Sequence, residues 1–130
     1  MSIRILLDTH AFLWWLDGDR RLTRHARTSI ADEGTTVLVS AATAWEITTK
    51  ARIGRLPGAV AVAQDVAGCI VSQGFTSLPI SVEHAERAGS LPGPHRDPFD
   101  RMLIAQALVE AVQIVTNEDA FDRYGVTRIW

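Results

Sequence analysis

The residues of this chain with most scope for chemistry are acids that stand beside short apolar runs. Asp8 closes the run Ile3–Leu7. Glu46 lies six residues beyond Ser40, which follows the run Thr35–Val39. Asp100 falls in the first turn of a segment opened by Asp97-Pro98. Glu118 and Asp119 follow Thr116 at the end of Gln113–Thr116. Carboxylates brought together repel, and the cost grows as water is excluded. A stable domain holds such a cluster when cations bind it or some of the acids keep their protons. All-oxygen ligands suit Mg²⁺ or Mn²⁺, which need only a few carboxylates plus substrate phosphate. With one cysteine, Cys69, and four histidines, no Cys/His set has zinc spacing. A divalent ion on these acids activates water and holds charge developing on phosphate, so the implied chemistry is phosphodiester hydrolysis. An Asp closing a first strand also suits the covalent nucleophile of a phosphatase. That class usually repeats Asp two residues later, where this chain has His10.

Each acid also has a structural reading. Asp97 precedes a proline, which pushes it out of the α region and into the position of a helix N-cap. Asp100 then stands at N3, where a negative charge favours the helix dipole. Thr116 to Asp119 fits a capping box with Asp in place of the usual Glu. Glu46 suits a solvated helix, although its neighbours Ala42, Thr43, Ala44, Trp45 and Ile47 carry no charge. Asp8 competes evenly between an N-cap and a metal ligand. Thr9 and Ser40 suit either a bond to a carboxylate or a helix cap. His10 and His95 flank the expected site. Arg96 and Arg101 could clamp phosphate or simply balance Asp97 and Asp100. Phe12, Trp14 and Trp15 are expected against the sheet. Two adjacent tryptophans should not both face one core, which leaves one for a protein interface.

The elements that must position these side chains alternate. Ile3–Leu7 reads as a strand buried on both faces. His10–Leu16 and Leu22–Ala31 read as helices and Thr35–Val39 as a second strand. Ser40 caps a helix to about Arg52. Ala59–Gln73 is expected as one helix with Val62, Val66 and Ile70 at i, i+4 spacing. Phe75–Ile80, carrying Pro79, suits an edge strand. Ser81 caps a helix through Ala88, and Pro98 at N1 starts another running to about Ala111. Gln113–Thr116, a short helix Glu118–Tyr124 and a last strand Thr127–Trp130 complete the series. Strands alternating with helices imply an α/β fold, with a parallel sheet covered on both faces. In such a sheet, sites form beyond the carboxyl ends of the strands, where the strand order reverses.

Composition narrows the classes. A length of 130 residues fits a single domain over 1–130, and 47% hydrophobic residues exclude disorder as the main state. The longest apolar stretch, Ala59–Val71, is interrupted by Gln64, Asp65 and Gly68, which argues against a membrane span. The opening Met1–Asp8 does not read as a signal peptide. A lone cysteine allows no internal disulfide and suits a reducing, cytoplasmic setting. The net charge of −2 excludes nucleic-acid binding through overall field, so an RNA partner would have to be held by local features. Lys50 is the only lysine; the other basic residues are arginines, which can grip phosphate bidentately.

Leu6-Leu7-Asp8-Thr9-His10, Trp45-Glu46-Ile47, the segment Asp97-Pro98-Phe99-Asp100-Arg101-Met102-Leu103-Ile104-Ala105-Gln106-Ala107, and Val115-Thr116 followed by acids together resemble the PIN domain. Within that family they look most like the ribonuclease toxins of VapBC-type toxin–antitoxin pairs. The resemblance covers essentially the whole chain. It implies a three-layer α/β/α fold around a five-stranded parallel sheet, and a Mg²⁺- or Mn²⁺-dependent endoribonuclease. By motif, Asp8, Glu46 and Asp100 match the metal-binding acids. The fourth acid normally sits two residues after the Thr of the fourth strand, which is Glu118 here, with Asp119 beside it. Thr9, Ser40, Asp97, Arg101 and Thr116 would support the site or the substrate. Similar proteins form homodimers, act on structured RNA such as tRNA, and are silenced by a cognate antitoxin whose tail occupies the active site. A PIN-like binding module without activity is the non-enzymatic alternative.

Overall fold

The apolar alternation of the first strand sets the layers. In a computed structural model that describes residues 3–130, β1 (Ile3–Leu7) turns Ile5 and Leu7 to one face and Leu6 to the other. That is the period-2 alternation of a pleated strand with both faces covered. Met1 and Ser2, which begin the opening segment read above, lie outside the described residues.

The remaining strands are β2 (Thr35–Ser40), β3 (Thr76–Leu78), β4 (Gln113–Val115) and β5 (Arg128–Ile129). All pair in parallel, in the order β3-β2-β1-β4-β5. The register sets Leu7 beside Val39 on one side and Val115 on the other. β3 is an edge strand and stops just before Pro79, whose missing N–H could not serve a central ladder.

The helices are α1 (Thr9–Asp17), α2 (Arg24–Ala31), α3 (Ala41–Arg52), α4 (Val60–Ala63), α5 (Val66–Ser72), α6 (Val82–Ser90) and α7 (Pro98–Glu110). One face of the sheet packs Phe12 of α1, Ile30 of α2, and Val66 and Ile70 of α5. The other packs Ala88 of α6 and Leu103, Ile104 and Ala107 of α7, with Phe121 and Val126. This is the three-layer α/β/α arrangement. α3 belongs to both layers, since Ala42 joins one core and Ile47 the other. It therefore crosses the carboxyl edge of the sheet and touches both α1 and α7. No helix among the described residues is long and apolar enough to cross a membrane.

Three local expectations change. The single helix over 59–73 is broken into a 3₁₀ turn at Pro57–Ala59, then α4 and α5. Asp65 causes the second break, because its carboxylate caps α5 by accepting the Gly68 amide at 2.9 Å. A Cβ at Gly68 would stand 2.1 Å from an Asp65 oxygen, so any larger residue there would push the capping carboxylate aside. The segment after β4 is a 3₁₀ turn, Asp119–Tyr124, and the capping box expected over 116–119 does not form. Thr116 accepts the amide of Glu118 at 3.0 Å instead, a tighter turn two residues on. Finally, Trp14 and Trp15 both pack on the same core. Trp14 meets Trp130 and Trp15 meets Phe75, and both stay partly exposed.

Candidate active site

Strand order reverses between β1 and β4, and the residues just past those strands are Asp8 and Thr116. Asp8 is buried at 4% exposure, and its Oδ1 accepts the Ala11 amide at 2.8 Å as the N-cap of α1. The cap is real, and it does not make the carboxylate comfortable. Burial pushes Asp8 from its ordinary 3.8 up to about 6. The Thr116 hydroxyl and the Ala11 amide offset part of this, and repulsion from Glu118 and Glu46 adds to it.

Glu46 is brought in by α3, one and a half turns past its Ser40 cap, and is 3% exposed. The Thr9 hydroxyl donates to Glu46 Oε1 at 2.6 Å and lies 3.3 Å from the Thr43 hydroxyl. Glu46 Oε2 pairs with Lys50 one helical turn on. Asp100 enters from α7. Asp97 caps that helix by accepting the amides of Phe99 at 2.9 Å and Asp100 at 3.2 Å, with Pro98 at N1. Burial pushes Asp100 up to about 6 as well. His95, whose Nε2 lies 2.9 Å from Asp100 Oδ2, lowers it, and the charges of Asp97 and Glu46 raise it further.

Glu46 is thus the common neighbour, since its charge is felt by both Asp8 and Asp100. Between the two acids after β4, Glu118 acts on Asp8, whereas Asp119 acts on Arg128 at the far strand. Four chain-distant carboxylates, Asp8, Glu46, Asp100 and Glu118, therefore share one end of the sheet.

The remaining expected site residues divide. Ser40 is turned into the protein. It accepts the Ala42 amide at 2.9 Å and donates to the fully buried Gln106. Arg101 also faces inward. Its guanidinium donates to the carbonyls of Ala88, Leu91 and His95, fastening the loop before α7. That loop is further held by Tyr124, whose hydroxyl accepts the His95 amide at 3.1 Å. Gly93 crosses it at φ +97, where a Cβ would meet the Tyr124 hydroxyl at 2.8 Å. His10 is exposed and packs on Trp14, away from the acids. Arg96 is exposed.

Three neighbours of the acids were given no role of their own in the sequence. Lys50, noted only as the sole lysine, holds Glu46, a pairing legible from its i, i+4 spacing on a helix. Gln106 ties Ser40 to His84 and to the Pro79 carbonyl, and nothing short of tertiary contact announces it. Trp45 is 60% exposed and contacts Phe99, although it sits in a charge-free stretch that suggests burial.

Comparison with known proteins places this geometry. The PIN domain model matches residues 5–126. The chain belongs to the PIN domain family. No curated protein matches it. Among solved structures, the PIN domain superposes on a chain of VapBC2 from Rickettsia felis, bound to a promoter DNA fragment, with a TM-score of 0.70 at 14% identity, covering 97% of each chain. VapC20 of Mycobacterium tuberculosis, described as a sarcin-ricin loop cleaving toxin, matches with a TM-score of 0.66 at 19% identity over 95% of this chain and 96% of the other. VapBC-1 from nontypeable Haemophilus influenzae gives 0.66 at 11% identity over 97% and 96%. At these identities the likeness is one of fold.

The donor set of this PIN domain is all oxygen, with Asp8 and Glu46 buried, Asp100 half-buried and Glu118 exposed, and all-oxygen donors suit a hard divalent cation. As they stand, no three His, Cys, Asp or Glu side chains among the described residues are gathered closely enough to hold an ion. Glu46 is instead paired with Lys50, and Asp100 is hydrogen-bonded to His95 Nε2.

Proposed function

We propose that this PIN domain is a metal-dependent endoribonuclease toxin that cuts phosphodiester bonds in RNA, with tRNA or another structured RNA as target. Its setting is the cytoplasm, its active form a homodimer, and residues 1–130 act as one catalytic domain. A cognate antitoxin silences it, a reading supported by structural neighbours that are toxin–antitoxin complexes. The observation that carries the proposal is the electrostatic one: buried Asp8 and half-buried Asp100 are both pushed up to about 6, and Glu46 repels both.

In this reading Asp8, Glu46 and Asp100 hold Mg²⁺ or Mn²⁺, with Glu118 completing the acidic wall. When bound, the ion supplies Lewis acidity for water attack on phosphorus and balances the phosphate charge. The chain's own groups do the rest. Thr9 orients Glu46 through Oε1. The caps at Asp8 and Asp97 fix the starts of α1 and α7. Arg101 keeps the loop that bears His95 against Asp100. Asp8 and Asp100 must lose their protons to serve as ligands, so ion affinity and activity fall as pH drops below about 6.

The test is cleavage of total RNA by purified protein with Mg²⁺ or Mn²⁺, followed by mapping of the new ends. Asp8→Asn and excess EDTA should each abolish cleavage while circular dichroism shows an unchanged fold. Full activity under either condition refutes the proposal.

A further inference from the structure

Trp45 is an exposed aromatic that packs on Phe99, the chain neighbour of the site acid Asp100. Its 60% exposure contrasts with Trp14, Trp15 and Trp130, which are partly covered by the core. It is adjacent in the chain to Glu46 on one helix, and Phe99 is adjacent to Asp100 on another, so the ring pair joins the two helices that carry these acids. The two rings meet edge to face, with centroids 4.9 Å apart and planes at 75°. Lys50, the partner of Glu46, stands 5.9 Å from the Phe99 centroid. Trp45, Phe99, Lys50 and Glu46 therefore form one continuous patch, apolar outside and charged inside.

Such a patch has specific uses. An indole braced at its edge has lost most of its rotamer freedom, so a partner laid on its open face pays little for ordering it. Every nucleobase presents a π-face, and aromatic stacking next to a positively charged group is the usual way a protein holds unpaired nucleotides. Bases inside an A-form duplex have both faces covered already and cannot use the platform.

We infer that Trp45, braced by Phe99, is a stacking platform for an unpaired nucleobase beside the scissile phosphate. Affinity gained through Trp45 is accordingly confined to unpaired nucleotides. This inference rests on the ribonuclease reading and adds to it the residue that selects the substrate's conformation. Lys50 reaches both the Phe99 ring and Glu46, which ties the platform to the acidic site.

The experiment measures binding with cleavage disabled, and cleavage separately. Fluorescence anisotropy follows a labelled unstructured oligoribonucleotide, and a duplex of the same sequence, on Asp8→Asn protein with and without Trp45→Ala. The single strand should bind about 5- to 100-fold more weakly after Trp45→Ala, and the duplex should change by less than about twofold. Trp45→Phe should recover most of the loss, because it restores a ring. Equal affinities with and without Trp45, an equal loss for the duplex, or a change of oligomeric state in sedimentation would each overturn the inference, the last by making Trp45 a protein contact. Wild-type protein is assayed alongside for RNA cleavage. If it cleaves and Trp45→Ala binds like its parent, only the inference fails. If wild type cleaves no RNA, the ribonuclease reading fails and takes the inference with it.

Discussion

Replacing Asp8 by Asn should stabilise the ion-free protein at neutral pH even though it destroys the proposed site. In the folded chain Asp8 titrates near 6 against an ordinary 3.8. At 1.36 kcal/mol for each tenfold, ionising it in the fold costs about 3 kcal/mol relative to the unfolded chain. The sign follows from proton counting. Between about pH 4 and 6 the folded state binds more protons than the unfolded one, so stability falls as pH rises through that window and is level above it. Asn caps a helix as well as Asp does, so the bond from the Ala11 amide survives. The gain from Asp8→Asn should therefore approach about 3 kcal/mol at pH 8, of the order of 10 °C in Tm for a chain of this size, and vanish below about pH 4. Urea titrations across pH 4–8 in EDTA measure it. Adding Mg²⁺ or Mn²⁺ should raise the stability of wild type and leave Asp8→Asn unmoved. A variant less stable than wild type at pH 8, or a difference that ignores pH, would refute the reasoning that burial and like charge strain this carboxylate.

Glu118→Gln should lower the Asp8 pKa, because its charge helps to raise it, while Asp119→Asn should leave Asp8 where it is; carbon-detected NMR titration separates the two. Arg101→Ala should cost about 2 kcal/mol or more in urea denaturation by orphaning the carbonyls of Ala88, Leu91 and His95, with Arg101→Lys recovering only part for want of the planar fork. Gln106→Leu should cost about 1–3 kcal/mol, since it strips partners from the buried Ser40 hydroxyl and the Pro79 carbonyl. Arg101 and Gln106 both lie behind the acids, so these losses should appear as stability whether or not an ion is present.

Much of the scaffold could be read directly because its signals are local. Strand alternation at Ile5, Leu6 and Leu7 specifies a sheet covered on both faces. The caps at Asp8, Ser40, Ser81 and Asp97 mark helix starts through bonds that span two or three residues. The helix expected over 59–73 breaks for the opposite reason. A hydrophobic stripe continues across Asp65, but that side chain competes for the backbone amides and wins.

The sequence by itself determined the alternating α/β order, the helix caps at Ser40, Ser81 and Asp97 and the identities of the acids, since each depends on neighbours a few positions away. Only the tertiary structure decided that Glu46 repels both Asp8 and Asp100, that Glu118 rather than Asp119 faces Asp8, and that Arg101 and Ser40 turn inward. Those outcomes depend on where α3 crosses the sheet and on how much water the packed layers exclude. Charge interaction and desolvation act through space, so chain spacing alone cannot supply them.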